Sequence, residues 1–235
     1  MKVLVIPDVH LKPWMFRRAS ELMEAGVADR VVFLMDIADD WNQELNIDLY
    51  IQTYDAAIQF ATDFPDTLWC YGNHDVCYIW NKRESGYSAL AASTVCGKMR
   101  ELEDAIPAGN IAFLHRIDKC LFSHGGLCEL FALRYAMAEH EDVDALIRKI
   151  NGLAAEEMWQ NLSPIWYRPQ YDHGRMYGED KGIFQVVGHT PVQMLHRAGN
   201  VISCDVFSTA SDGSPVGTQA YPVVDTETGV VMGVK

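Results

Sequence analysis

Five short apolar runs in this chain each stop at a polar cluster, and that pattern constrains the fold more than any other feature. Val3 to Ile6 runs into Asp8-Val9-His10, and Arg30 to Leu34 into Met35-Asp36-Ile37-Ala38-Asp39-Asp40. Thr67 to Cys70 runs into Tyr71-Gly72-Asn73-His74-Asp75. Lys119 to Phe122 ends in Ser123-His124-Gly125-Gly126, and Phe184 to Val187 in Gly188-His189-Thr190-Pro191. A continuous apolar run of this length suits a strand covered on both faces. Helical stretches separate the early runs: Pro13 to Ala25 with Gly26 as cap, Ile47 to Phe64 closed by Pro65, and Tyr87 to Leu102. Ile111 to Leu114 and Lys119 to Phe122 read as strands paired around Arg116-Ile117-Asp118. From Leu127 to Gly182 the chain is helical, then irregular, with Leu130 to Ile150 reading as one amphipathic helix. Short strands follow at Val201 to Cys204, Ala220 to Val224 and Val230 to Met232. The alternation predicts an α/β layered fold, whose sites gather at the carboxyl ends of its parallel strands.

Composition narrows the function. A chain of 235 residues, 49% hydrophobic, can bury the core of one domain, with residues 127–182 as a candidate cap insertion. A net charge of -13 argues against a nucleic-acid groove, which needs a basic stripe. No apolar run approaches the ~20 residues needed to span a bilayer. The short run after Met1-Lys2 lacks the length and cleavage site of a signal peptide. Six scattered cysteines without a CxxC pair read as reduced core residues, which predicts a cytoplasmic protein.

Asp8, His10, Asp36, Asn73, His124 and His189 together offer carboxylate, imidazole and amide oxygen. That mixed set suits Mn first, with Fe, Zn, Ni or Co as the other candidates, rather than calcium. Six ligands fit two ions if one carboxylate bridges them, and Asp36 is the expected bridge. Two divalent ions about 4 Å apart activate a hydroxide near neutral pH and clamp an in-line displacement. Two dications outweigh the charges of Asp8 and Asp36, so the site stays positive enough for a phosphoryl dianion. His74 would then protonate the leaving oxygen, with Asp39 orienting its ring and raising its pKa.

In order, Asp8-Val-His10, Asp36-Ile-Ala-Asp39, Gly72-Asn73-His74-Asp75, His124-Gly-Gly and Gly188-His189 resemble the motifs of the calcineurin-like metallophosphoesterase superfamily. The resemblance implies a four-layer αββα sandwich with two central mixed sheets. It also implies a dinuclear centre and phosphoester hydrolysis by a hydroxide bridging the two metals. It further implies a distribution of ligands, with Asp8, His10 and Asp36 on one ion and Asp36, Asn73, His124 and His189 on the other. His124-Gly-Gly-Leu127 and Gly188-His189-Thr-Pro-Val192 resemble the branch of bacterial phosphoprotein phosphatases and diadenosine tetraphosphatases.

Two departures stand out. Met35 precedes Asp36 where that branch has glycine, and Asp40-Trp41 stand where it has its phosphate-gripping arginine. Ile165-Trp166-Tyr167-Arg168 resembles the branch's Trp-x-Arg segment, so Arg168 is a candidate phosphate clamp, with Asn73 also facing the phosphate. Expected substrates are phosphorylated small molecules, nucleotides or phosphoproteins. The missing arginine keeps open a nucleotide pyrophosphohydrolase of the dinucleoside polyphosphatase type. Met35 and Asp40 keep open a catalytically weak metal-binding interaction module. Asp75 reads equally as support for the site or a local turn acceptor, Asp40 as a solvated carboxylate, and Asp205 as a turn residue. Trp14, Trp41 and Trp80 follow site motifs closely and are candidates for lining a substrate pocket or for core packing.

Overall fold

Side chains alternate along the central strands of this protein, a computed structural model of residues 1–235, and the alternation builds the layers. The first half contains β1 (Lys2–Ile6), α1 (Trp14–Glu24), β2 (Arg30–Phe33), α2 (Ile47–Asp63) and β3 (Leu68–Cys70). It continues with α3 (Asn73–Ile79), α4 (Ala92–Ala105) and β4 (Ile111–Ala112). In β1, Leu4 and Ile6 face one apolar cluster shared with α1, α2 and α4, while Val3 and Val5 face another. Phe33 in β2 and Trp69 in β3 take the helix side; Val32, Leu68 and Cys70 take the opposite side.

The second half brings β5 (His115–Ile117), β6 (Cys120–Ser123), α5 (Glu129–Ala136), α6 (Val143–Asn151) and α7 (Ala155–Met158). Then come β7 (Phe184–Val187), β8 (His196–Ala198), β9 (Val201–Ser203), β10 (Tyr221–Asp225) and β11 (Val231–Val234). Cys120, Phe122, Val186 and Ile202 meet the inward residues of the first sheet, so the two sheets stack face to face. Leu121, Val187 and Val201 point the other way, onto α5, α6 and the segment around Ile165 and Tyr177. The result is four layers, helix–sheet–sheet–helix, as the resemblance implies.

The first sheet runs β11-β10-β1-β2-β3-β4 and the second β5-β6-β7-β9-β8. Both are mixed: β1 to β4 are parallel, as are β6, β7 and β9, with antiparallel strands at the margins. Strand β10 returns from the end of the chain to pair with β1, Leu4 opposite Val223. No helix is long and apolar enough to cross a membrane.

Two local expectations are corrected. The hairpin partner of β6 is His115–Ile117, and Ile111–Ala112 instead pairs in parallel with β3. The cause is a tight two-residue turn in which Asp118 adopts φ +51°, fixing Ile117 opposite Cys120. The stretch from Leu130 to Ile150 is two helices, because Asp142 caps a new N-terminus by accepting from Asp144 N (3.1 Å) and Ala145 N (3.0 Å).

Candidate active site

The loops after β1, β2, β3, β6 and β7 meet along one edge of the stacked sheets. Asp8, Asp36, Asn73, His124 and His189 are buried there, and His10 is half-buried. The ligand atoms form two groups, Asp8-His10-Asp36 and Asp36-His124-His189, with Asp36 common to both. His124 Nδ1 donates to Leu34 O at 2.8 Å, which leaves its Nε2 facing inward. Around that Nε2 lie Asp36 Oδ2, Asn73 Oδ1 and His189 Nδ1, each at 3.1 Å. His10 Nδ1 donates to Asp39 O at 2.9 Å, and its Nε2 lies 3.9 Å from Asp36 Oδ2. Only a proton or a cation can sit comfortably among so many acceptors, so the donor set fits divalent metal ions.

Titration behaviour expresses the same demand for positive charge. Burial disfavours a charged His124, yet the carboxylates of Asp36 and Asp8 outweigh it and lift its pKa to about 9. Burial would raise Asp36, but His124 and His74 hold it well below the carboxylate range. Asp8 is pushed up by burial and by Asp205, while His10 and His189 are pushed down chiefly by burial.

Backbone geometry sets these groups. His10, Leu11, Met35, Asp36, Asp39 and His189 all adopt left-handed φ, between 42° and 62°. Such a residue costs about 1–2 kcal/mol, held here by the surrounding contacts. Two glycines make the close approach feasible. A Cβ on Gly72 would lie 2.0 Å from Asp36 Oδ1, and one on Gly188 2.1 Å from Asp8 Oδ1. His189 N donates to Asp8 Oδ2 at 2.9 Å, and His74 N to Asp36 Oδ1 at 2.9 Å. Asp75 reaches across two loops, accepting from Asp36 N (2.8 Å), Ile37 N (2.9 Å) and Gly72 N (3.0 Å). It therefore supports the site as well as its own turn.

His74 stands beside this cluster with its Nδ1 donating to Asp39 Oδ2 at 2.9 Å. The other oxygen of Asp39 accepts from the hydroxyls of Tyr50 (2.8 Å) and Tyr78 (2.6 Å). Burial opposes charge on His74, but Asp36 and Asp39 overcome it and raise the pKa to about 9. Arg168 Nη1 donates to His189 O (2.6 Å) and Thr190 Oγ1 (3.3 Å). It joins His10, Asp36, Asn73, His74 and His189 in lining a cleft of about 210 Å³. The nine residues expected to hold metal, deliver or orient the proton, or grip the phosphate are thus brought to one place.

Further residues stand in or around the cleft. Lys12 is buried, its ammonium donating to His10 O (3.1 Å) and Asp40 (3.3 Å), so it pins the loop after β1 to the loop after β2. Asp40, expected to be solvated, is tied to Lys12 and Thr209 instead. Asp205 is a turn acceptor for Ser208 N (3.2 Å) and Ser208 Oγ (2.7 Å). Glu44, Glu84 and Trp41 line the outer cleft. Trp14 rests on Phe207 and Trp80 on Phe113 and Trp159, away from it. Lysine two residues after His10 was the one available signal, and its meaning depends on loops distant in sequence.

Among known families, that of the calcineurin-like phosphoesterases matches residues 1–207. An archaeal phosphodiesterase is similar in structure, at 14% identity and TM-score 0.46, covering 100% of this chain and 99% of its own. A metallophosphoesterase from Sphaerobacter thermophilus shows 16% identity and TM-score 0.47, covering 100% and 89%. The phosphoesterase Yfce from E. coli shows 14% and 0.47, covering 99% and 97%. No curated protein matches the sequence.

Proposed function

The chain belongs to the calcineurin-like phosphoesterase family and is a hydrolase of phosphoric esters, and on that premise we propose how its residues divide the work. Asp8, His10 and Asp36 would hold one divalent ion and Asp36, Asn73, His124 and His189 a second, with manganese the first choice. When bound, such a pair supplies an activated water near neutral pH and positive charge for the phosphoryl oxygens. His74 delivers a proton from Nε2 to the leaving alcohol, since Nδ1 is committed to Asp39. The Asp39 carboxylate at Nδ1 favours the charged ring, the form that has this proton to give. Asp39 cannot swing away, because two tyrosine hydroxyls hold its far oxygen. Arg168 presents its guanidinium at the cleft and grips the phosphate, and Asn73 steers it.

The observation that carries this reading is the convergence of acceptors on Asp36 beside a histidine already paired to a carboxylate. We read residues 1–235 as one domain in which the segment 127–182 serves the cleft through Arg168. Six free cysteines, five of them buried, favour the reducing cytoplasm. The test is His74→Asn assayed on an alkyl phosphate, whose alkoxide leaves poorly without a proton, with Mn, Ni, Co and Mg added separately. Turnover should fall about 10²–10⁴-fold with metal content unchanged. Full activity in that variant would remove the acid role.

A further inference from the structure

The outer half of the cleft carries three groups that the hydrolytic reading leaves idle. Trp41 is 55% exposed and lines this cleft, so its ring is open to a ligand there. It is also fixed in place. Its Nε1–H donates to Thr209 O at 3.0 Å and its backbone N–H to Asp40 Oδ1 at 2.8 Å. Asp40 is in turn anchored by Lys12 at 3.3 Å. The ring has therefore given up its freedom before any ligand arrives, which favours binding. Glu44 and Glu84 line the same cleft, and Glu84 accepts from Ser85 Oγ at 2.9 Å.

We propose that this half of the cleft selects phosphoesters of the nucleoside class, with the base stacked on Trp41 and its amino or imino donors turned to Glu44 and Glu84. The inference rests on the phosphoesterase reading and adds the leaving group to it. Stacking accepts any flat ring, but two carboxylates accept only from donors and repel further negative charge. A simple alkyl alcohol offers no ring to Trp41. A polyphosphate tail or an acidic phosphopeptide would place anions against Glu44 and Glu84. An uncharged base carrying N–H groups satisfies both.

The experiment compares wild type, Trp41→Ala and Trp41→Phe, each with Mn, on adenosine monophosphate and glycerol phosphate. Adenosine binding is measured in parallel by calorimetry, without turnover. In Trp41→Ala the ratio of kcat/KM for the nucleotide over glycerol phosphate should fall about tenfold or more, recovering in Trp41→Phe. Adenosine affinity should follow the same order. An unchanged ratio and unchanged adenosine binding would overturn the proposal, as would faster hydrolysis of adenosine triphosphate or a phosphopeptide than of the monophosphate. In Glu44→Gln/Glu84→Gln, hydrolysis of the triphosphate relative to the monophosphate should rise severalfold; no rise would remove the carboxylates from the proposal. If wild type hydrolyses neither monoester, monoester hydrolysis is removed from the proposed function, and the adenosine titration still decides the role of Trp41.

Discussion

Asp75 does its work at the scale of a single carboxylate, holding the loops after β2 and β3 together through three backbone N–H groups. Burial and the charge of Asp36 push its pKa up to about 7. In Asp75→Asn one acceptor becomes an amide donor facing backbone N–H groups. The expected loss is about 2–4 kcal/mol of stability, with weaker metal affinity, read by urea unfolding and metal titration. Met35 is informative at the same scale. It stands where the resembled branch has glycine, and its φ of +56° is the conformation glycine favours. Its fully buried side chain joins the core beneath the helices, and burial of about 2 kcal/mol offsets the backbone cost. The polar residues at strand ends were legible because each follows an apolar run at short range. Lys12, Glu44, Glu84 and Thr209 were not, because only tertiary folding brings the last three to the cleft and Lys12 onto Asp40.

Elements were legible where one period dominates. Helices α1 and α2 and strands β1, β2 and β7 follow their apolar patterns closely. Strand β8 escaped because all three of its residues are exposed and its chemistry is that of a loop. The hairpin β5–β6 escaped because its register is set by the turn at Asp118. That hairpin also carries a pH-sensitive link between the sheets, His115 Nε2 bonding to Trp69 O of β3 at 3.1 Å. Burial lowers the pKa of His115 to about 4. A depressed histidine is charged more readily in the unfolded chain, so its stabilising effect is full above about pH 6.5 and fades towards pH 4. Between pH 7.5 and 5 this single group should remove about 2 kcal/mol from the unfolding free energy. The variant His115→Gln should lack that share of the acid sensitivity when denaturant unfolding is followed at both pH values.

Across the whole molecule, the site joins what the layers separate. Asp8, Asp36 and Asn73 follow strands of the first sheet, while His124 and His189 follow strands of the second. A cation held among them would tie the sheets together and bind the folded state alone. Manganese at a hundredfold excess over its Kd should therefore stabilise the protein by about 2.7 kcal/mol, and a chelator should reverse this in a thermal melt. A melt insensitive to both would contradict the assignment of these residues as ligands. The layered architecture was legible because β1 and β2 are apolar on both faces. The pairing of β10 with β1 was not, since nothing local in either strand names its partner.

That pairing also has a timetable. Leu4 lies opposite Val223, so β1 waits for a partner made more than two hundred residues later. At about 5–20 residues per second, the ribosome leaves that edge of β1 open for roughly 10–40 s. During that interval β1 is an apolar strand with unpaired N–H and C=O groups, the form most able to pair with a neighbouring chain. A protein whose chemistry sits at one end of its strands thus carries its hazard along the side of one, and only while it is being born.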